Sequence, residues 1–142
     1  MRILIIIAIT FSTTFLYAQK IVIWIGGTPG SETSWDQPKN WSNHNVPNEF
    51  SNVLIPDVSN STFSNPVIQN GIIELKSLQI ESSAKLTIDK MAKLIVYGKA
   101  EGIYASNVEI KGSLIVWDEV SDKEVDIKVA LLNSYTSPYS KY

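Results

Sequence analysis

The chain contains no cysteine and only one histidine, and these two absences remove several kinds of chemistry. Without cysteine, no disulfide can hold the fold together and no N-terminal cysteine can carry a lipid. The single histidine, His44, lies in a polar stretch, so neither a histidine metal site nor a Ser-His-Asp triad has support. The glycines of 26–30 lack the lysine and the following helix of a phosphate-binding loop. The sequence therefore predicts no catalytic residue, no metal ligand and no cofactor.

Charge of either sign is sparse, and the formal net charge of the 142 residues is −2. A mildly acidic chain argues against a nucleic-acid surface. Beyond the first eighteen residues there is no apolar run long enough to cross a bilayer. We therefore expect that the mature protein neither binds nucleic acid nor spans a membrane.

The first eighteen residues have the layout of a secretory signal peptide. Arg2 is followed by the apolar run 3–9 and then by Ala18, the predicted cleavage position. The run is short for a transmembrane anchor and is interrupted at 12–14. Cleavage removes Arg2, lowers the net charge from −2 to −3, and leaves 124 of 142 residues, which suffice for one compact domain. The predicted location is extracellular, either secreted or at the outer cell surface.

The second half of the chain repeats a four-residue phrase with aliphatic residues at its second and fourth positions. The phrase occurs five times, at 77–80, 85–88, 93–96, 107–110 and 113–116. A period of two directs both aliphatic side chains to one face of a strand. Short strands at such close intervals indicate a chain that winds or folds back repeatedly around one apolar seam.

Two all-β architectures fit these strands, a right-handed parallel β-solenoid and an antiparallel β-sandwich. The linkers 82–84 and 89–92 lack the Asn-Gly or Asp-Gly signature of tight hairpins, so we predict the solenoid. The chain is then divided into a signal peptide (1–18), an N-terminal strand with a tryptophan-rich capping segment (19–57), solenoid rungs (58–129) and a frayed C-terminal tail (130–142).

Both ends of a solenoid expose apolar interior and need a cover. At the amino end, Trp24, Trp35 and Trp41 precede the first rung, and indoles bury much area per residue. We predict that these three tryptophans form a structural cap together with Pro47 and Pro56. At the carboxyl end, the acidic segment 118–126 is expected to cover the last rung by its charge or as a final strand. Without such a cover, the edge predicts self-association.

The tryptophans also permit a different interpretation. Exposed indoles stack on sugar rings, so Trp24, Trp35 and Trp41 could form a glycan-binding platform, with Trp117 as a further candidate. Asp36, Asn40 and Asp57 offer oxygen ligands for calcium, and the same side chains are also ordinary turn-capping residues. Their spacing matches no calcium loop, so turn-capping is preferred.

The order of the motifs around the tryptophans is specific. The motifs are Trp24-Ile25-Gly26, Thr33-Ser34-Trp35-Asp36, Pro38-Lys39-Asn40-Trp41, Val46-Pro47, Asn52-Val53-Leu54-Ile55-Pro56 and Asn65-Pro66-Val67-Ile68, and the Leu-x-Ile phrases follow them. This order resembles the N-terminal tryptophan-rich, β-helical module of large secreted adhesin-like surface proteins from gliding, polysaccharide-degrading Gram-negative bacteria. The resemblance covers residues 22–117 and implies a β-helical fold and an exported surface protein, while the molecular function of those proteins is poorly defined.

The functional expectation is an exported, non-enzymatic, structural or adhesin-like surface module whose partner is a polysaccharide or another cell-surface component. The alternative is a carbohydrate-binding module that uses the tryptophans. The third interpretation is a β-helical polysaccharide lyase, which requires acids and a base converging on one groove. Asp36, Glu49 and Asp57 are the acids nearest the tryptophans, and no base or metal cluster accompanies them.

Overall fold

A computed structural model describes residues 20–118 and 123–127, and these residues are almost entirely β. The predicted signal peptide (1–18) and C-terminal tail (130–142) lie outside the described residues. A single turn of 3-10 helix spans Pro38–Asn40. The strands are β1 (Ile21–Ile23), β2 (Asn52–Ile55), β3 (Val67–Leu75), β4 (Ser77–Ile80), β5 (Leu86–Val96), β6 (Ala100–Glu101), β7 (Val108–Ile110), β8 (Ser113–Asp118) and β9 (Lys123–Asp126).

The strands stack in parallel on three faces. The first face consists of β1, β2, β4 and β6, all parallel and in that order. The second face contains the beginnings of β3 and β5 and then β7, and the third face contains the ends of β3 and β5 and then β8. A shift in register between Ile68 and Asn70 separates the two faces within β3. The chain is a parallel β-solenoid of about three turns, so the predicted solenoid is confirmed and the antiparallel sandwich is wrong.

The register explains the uneven spacing of the repeated phrase. Leu78 pairs with Ala100 and Leu86 pairs with Val108, so the last turn advances by 22 residues on the first and second faces, and it advances by 20 between Leu94 and Leu114 on the third. The eight-residue steps from Leu78 to Leu86 to Leu94 therefore follow the three faces of a single turn. The fourteen-residue step from Leu94 to Val108 passes over the first face of the last turn. There β6 replaces the aliphatic phrase with Ala100, which is why the phrase is missing.

Apolar side chains of successive turns lie above one another in a single interior. On the first face Val22, Val53 and Leu78 are all buried and paired turn by turn. On the third face Leu94 and Leu114 are paired and have no exposed area. Each fully buried aliphatic side chain contributes roughly 1.5–3 kcal/mol. With no disulfide available, this interior and the backbone ladders stabilise the solenoid.

Antiparallel segments cover the first strand and the last parallel strand. At the amino end, the backbone N–H of Ser42 donates to the carbonyl of Ile23 at 2.9 Å, and Trp24 and Trp41 form an antiparallel bridge. At the carboxyl end, β9 pairs antiparallel with β8, and Ile127 packs against the core. Of the two expected covers for the last rung, a final strand is observed on the third face, where β9 pairs with β8. A strand edge that is paired in this way no longer offers free backbone groups to other chains.

Two corners are so tight that only glycine fits. Gly102 has a φ of +73°, and a Cβ there would overlap the carbonyl oxygen of Ile80. A Cβ on Gly112 would overlap the carbonyl oxygens of Asp89 and Ala92 on the turn above. These glycines let consecutive turns approach to backbone contact at the corners.

We predict that Gly102→Ala lowers the free energy of unfolding by more than about 3 kcal/mol, because backbone atoms of two turns must separate. The matched control is Gly30→Ala, since Gly30 has a φ of +78° and open space around its Cα. Gly30→Ala should lower the free energy of unfolding only by the strain of a left-handed backbone, about 1–2 kcal/mol. Urea denaturation measures both; equal losses would contradict the close approach at Gly102.

Candidate functional site

Three indoles form one packed cluster at the amino-terminal end of the solenoid. Trp24, Trp35 and Trp41 are 0%, 1% and 0% exposed. The ring centroids of Trp35 and Trp41 lie 4.6 Å apart and those of Trp24 and Trp41 5.0 Å apart, both edge to face. Trp24 and Trp35 are stacked at 6.5 Å. Edge-to-face and offset pairs of this kind add about 0.5–1.5 kcal/mol each beyond their area burial.

Backbone hydrogen bonds place the cluster over the first turn. The N–H of Trp24 donates to the carbonyl of Leu54 at 2.9 Å and extends the β1–β2 ladder. Val67 donates to Thr33 at 2.8 Å and accepts from Trp35 at 3.2 Å, so residues 33–35 stack on the start of β3. The loop thus forms a partial turn above the first full turn, and its indoles pack over the apolar interior.

A buried asparagine organises the loop that carries the indoles. Asn40 is 0% exposed, and its side-chain oxygen accepts from the N–H of Thr28 at 3.0 Å. Its side-chain nitrogen donates to the carbonyls of Ser31 at 2.7 Å and Ser34 at 3.0 Å. Its backbone carbonyl accepts from Ile25 at 2.9 Å. Because these partners are backbone groups, the amide of Asn40 is committed to the fold and is not a free calcium ligand.

The indole N–H groups differ in their partners. Trp24 Nε1 donates to the carbonyl of Ser64 at 2.7 Å, and Trp41 Nε1 donates to the carbonyl of Trp35 at 2.8 Å. Trp35 Nε1 is buried without a hydrogen-bond partner among the described residues. Of the two prolines assigned to the cap, Pro47 is buried and Pro56 is half-buried. No ring face of the three clustered tryptophans is open to a sugar in this arrangement.

The acids near the cluster lie apart in the solvent. Asp36, Glu49 and Asp57 are exposed, and Asp57 accepts from the N–H of Ser59 at 2.9 Å, as a turn-capping side chain does. His44 is also exposed, in a turn with a φ of 56°. Among residues 20–118 and 123–127, no three His, Cys, Asp or Glu side chains come close enough to hold a metal ion. The same residues include no helix long and apolar enough to span a membrane.

The shifted pKa values reflect local hydrogen bonds. The backbone N–H of Gly30 lowers the pKa of Glu32, and the backbone N–H of Ser59 lowers the pKa of Asp57. The hydrogen bond to Asp89 and the nearby charge of Glu109 raise the pKa of Lys111. All three groups lie in solvent, and charged forms stabilised by turn N–H groups or neighbouring ions are ordinary surface features.

An open depression of about 530 Å³ lies at the corner between the second and third faces. Its main charged group is Lys111, whose Nζ lies 3.4 Å from the carboxylates of both Asp89 and Glu109. The remaining lining residues are Gln69, Lys90 and Met91. The positive charge of Lys111 is thus balanced by these two carboxylates. The corner carries charges of both signs and has no enclosed pocket.

A second aromatic surface lies on the third face, and Trp117 is the one member of it that the sequence singled out. Ile95 pairs with Ile115, Trp117 is the next outward position of β8, and Tyr97 directly follows β5. We call these four residues the third-face platform. The third position of the repeated phrase holds a polar residue on the other two faces, at Gln79, Thr87 and Glu109. In the phrases 93–96 and 113–116 this outward position is apolar, and that difference is the sequence signal for the third-face platform.

We expect the three clustered tryptophans to differ in how well they tolerate phenylalanine. Trp41→Phe leaves the buried carbonyl of Trp35 without its donor, whereas Trp35→Phe removes an N–H that has no described partner. A buried group left unsatisfied costs about 1–3 kcal/mol. Chemical denaturation should therefore show Trp41→Phe as the more damaging change by about that amount. A Trp35→Phe variant that is at least as destabilised would contradict the assigned hydrogen bonds.

Comparisons with known proteins match the chain to one family. No curated protein and no solved structure matches it significantly. A protein-family model with the description "Domain of unknown function (DUF8693)" matches residues 23–139. The matched segment begins at the end of β1 and includes the indole cluster, all three turns and β9. Since the match extends over most of its length, the chain belongs to the DUF8693 family of domains of unknown function.

Proposed function

We propose that this chain is an exported, non-enzymatic, adhesin-like surface module that holds its outer faces against a cell-surface component. One observation carries the proposal: parallel ladders place every second side chain outward, one turn above the next at about 4.8 Å. Such a surface can contact a partner over an extended area rather than enclose it in a pocket. Outward side chains such as Gln79, Lys93 and Glu109 would form the contact surface.

Export is supported by the sequence. The segment 1–18 has the layout of a signal peptide, and a fold without cysteine needs no oxidative step in the compartment that receives it. The tryptophan motifs resemble those of secreted adhesin-like proteins from gliding Gram-negative bacteria. The proposed location is therefore extracellular, either secreted or held at the outer surface, with a polysaccharide or another surface component as partner.

The arrangement of the acids favours binding over polysaccharide cleavage. A lyase or hydrolase needs acidic and basic groups that converge on one bond. Glu74 and Glu109 lie on different faces and different turns. The carboxylate of Glu81 accepts a hydrogen bond from the backbone N–H of Asp57 at 2.8 Å. Glu74, Glu81 and Glu109 share no groove with one another, and the carboxylates of Asp89 and Glu109 are already paired with Lys111. The lyase interpretation therefore receives less support than the adhesive one.

The proposal predicts export and saturable attachment to bacterial surfaces. The full chain, expressed in a Gram-negative host, should lose its N-terminal segment and leave the cytoplasm. The purified protein should then sediment with whole cells or extracellular polysaccharide of gliding bacteria in a saturable manner, without releasing reducing sugars. The Gly102→Ala variant, expected to unfold more easily, is the control at a temperature where only the native chain is folded. Retention in the cytoplasm, or sedimentation no greater than that control, would contradict the proposal.

A further inference from the structure

The third-face platform consists of four large side chains at neighbouring outward positions. Ile95 and Ile115 are direct partners across two turns. Trp117 follows Val116 within β8, so alternation turns it outward, and Tyr97 directly follows the buried Val96 at the end of β5. Tyr97 is 45% exposed, and the other three members are partly exposed. The result is a small apolar surface on the outside of the solenoid.

The ring of Tyr97 is held along this surface. Its hydroxyl donates a hydrogen bond to the carboxylate of Glu74, which lies one turn above on the same face. This hydrogen bond restrains the side chain of Tyr97, which remains 45% exposed. A ring that is fixed before binding loses little rotamer entropy when a ligand arrives.

We infer that the third-face platform binds a neutral glycan, which names the partner class of the proposed surface module and rests on that proposal. The axial C–H groups of a pyranose ring carry partial positive charge and pack on the negative faces of aromatic rings. Sugar hydroxyls at the rim would meet Glu74 above the platform and Asp126 of β9 below it. The apolar centre of the platform would thus contact the C–H groups of a sugar, and the polar rim would bind its hydroxyls.

The size of the platform favours a sugar over a protein partner. Two turns about 4.8 Å apart and two outward positions about 6.6 Å apart enclose about 30 Å² between Cα positions, and the width of the side chains brings the footprint to the order of 100 Å². A standard protein interface buries about 800 Å² on each partner. Four side chains fall far short of that area, but they match the faces of one or two sugar rings.

The charge around the platform favours a neutral glycan over an acidic one. The charged residues around the platform include Glu74, Lys76, Lys93 and Asp126, and Glu124 is the strand partner of Trp117. The whole chain carries a net charge of −2. A polyanion would gain little from a rim that has no excess of lysine on a mildly acidic protein.

The platform also contains the tryptophan that would report binding. The other three tryptophans are at most 1% exposed, so Trp117 is the indole that a soluble quencher or a ligand can reach. Acrylamide should quench part of the native emission, and Trp117→Phe should remove that part. A glycan on the platform should protect the same fraction.

Titration of the purified full chain with soluble cello-, xylo- and laminari-oligosaccharides tests the inference, with polygalacturonate as the acidic arm. At least one neutral oligosaccharide should bind and protect Trp117 from acrylamide. Tyr97→Leu and Trp117→Leu keep apolar bulk but remove a flat ring, and each should weaken binding about tenfold or more while the melting temperature stays near that of the native chain. The matched control is Tyr104→Leu, because Tyr104 is 52% exposed and lies outside the platform. It should bind like the native chain.

Three results would overturn the inference: no neutral oligosaccharide binds, only the acidic polymer binds, or binding survives both platform changes. Equal loss in the Tyr104→Leu control would overturn it as well. Sedimentation with bacterial surfaces that persists in the Tyr97→Leu and Trp117→Leu variants would reject the platform and leave the surface-module proposal standing. Loss of attachment in the native chain would reject both.

Discussion

In-register stacking of parallel strands is the constraint on which the rest of this structure depends. Val53 lies on Leu78, and Leu94 lies on Leu114, so aliphatic side chains of successive turns meet in one dry interior. A slip of one residue would turn every one of these side chains outward. The chain has no cysteine to resist such a slip, and the backbone ladders and the interior must fix the register together. Tight glycine corners contribute by letting consecutive turns meet at backbone contact.

Stacking leaves two ends, and the chain closes them with different chemistry. At the amino end a loop rich in polar residues is ordered by the buried amide of Asn40, and it delivers three indoles onto the first turn. Large aromatic rings suit this place because few residues must cover a wide opening. At the carboxyl end, β9 reverses direction and pairs with β8. This antiparallel strand occupies the edge of β8 on the third face, so that edge is closed to a further parallel strand.

Once the inward positions are assigned to packing, specificity must come from the outward ones. On the first and second faces the outward positions of the repeated phrases are polar, as at Gln79 and Thr87. On the third face Ile95 and Ile115 occupy the equivalent positions, beside Tyr97 and Trp117. Exposed apolar residues that are grouped, rather than scattered, mark a surface that contacts another molecule. The proposal that this module binds a glycan therefore places the contact on the third face.

The period of two in the sequence determined the strands, their inward residues and the all-β class, because alternation is a local property of an extended chain. Turn chemistry favoured the solenoid for the same local reason. Only the tertiary structure decided that eight-residue steps are three faces of one turn, and that Ala100 occupies the face where the phrase is missing. It also separated Trp117 from Trp24, Trp35 and Trp41, since burial of an indole depends on which distant strand lies above it. Pairing between residues about 22 positions apart sets all of these features, and no local pattern records it.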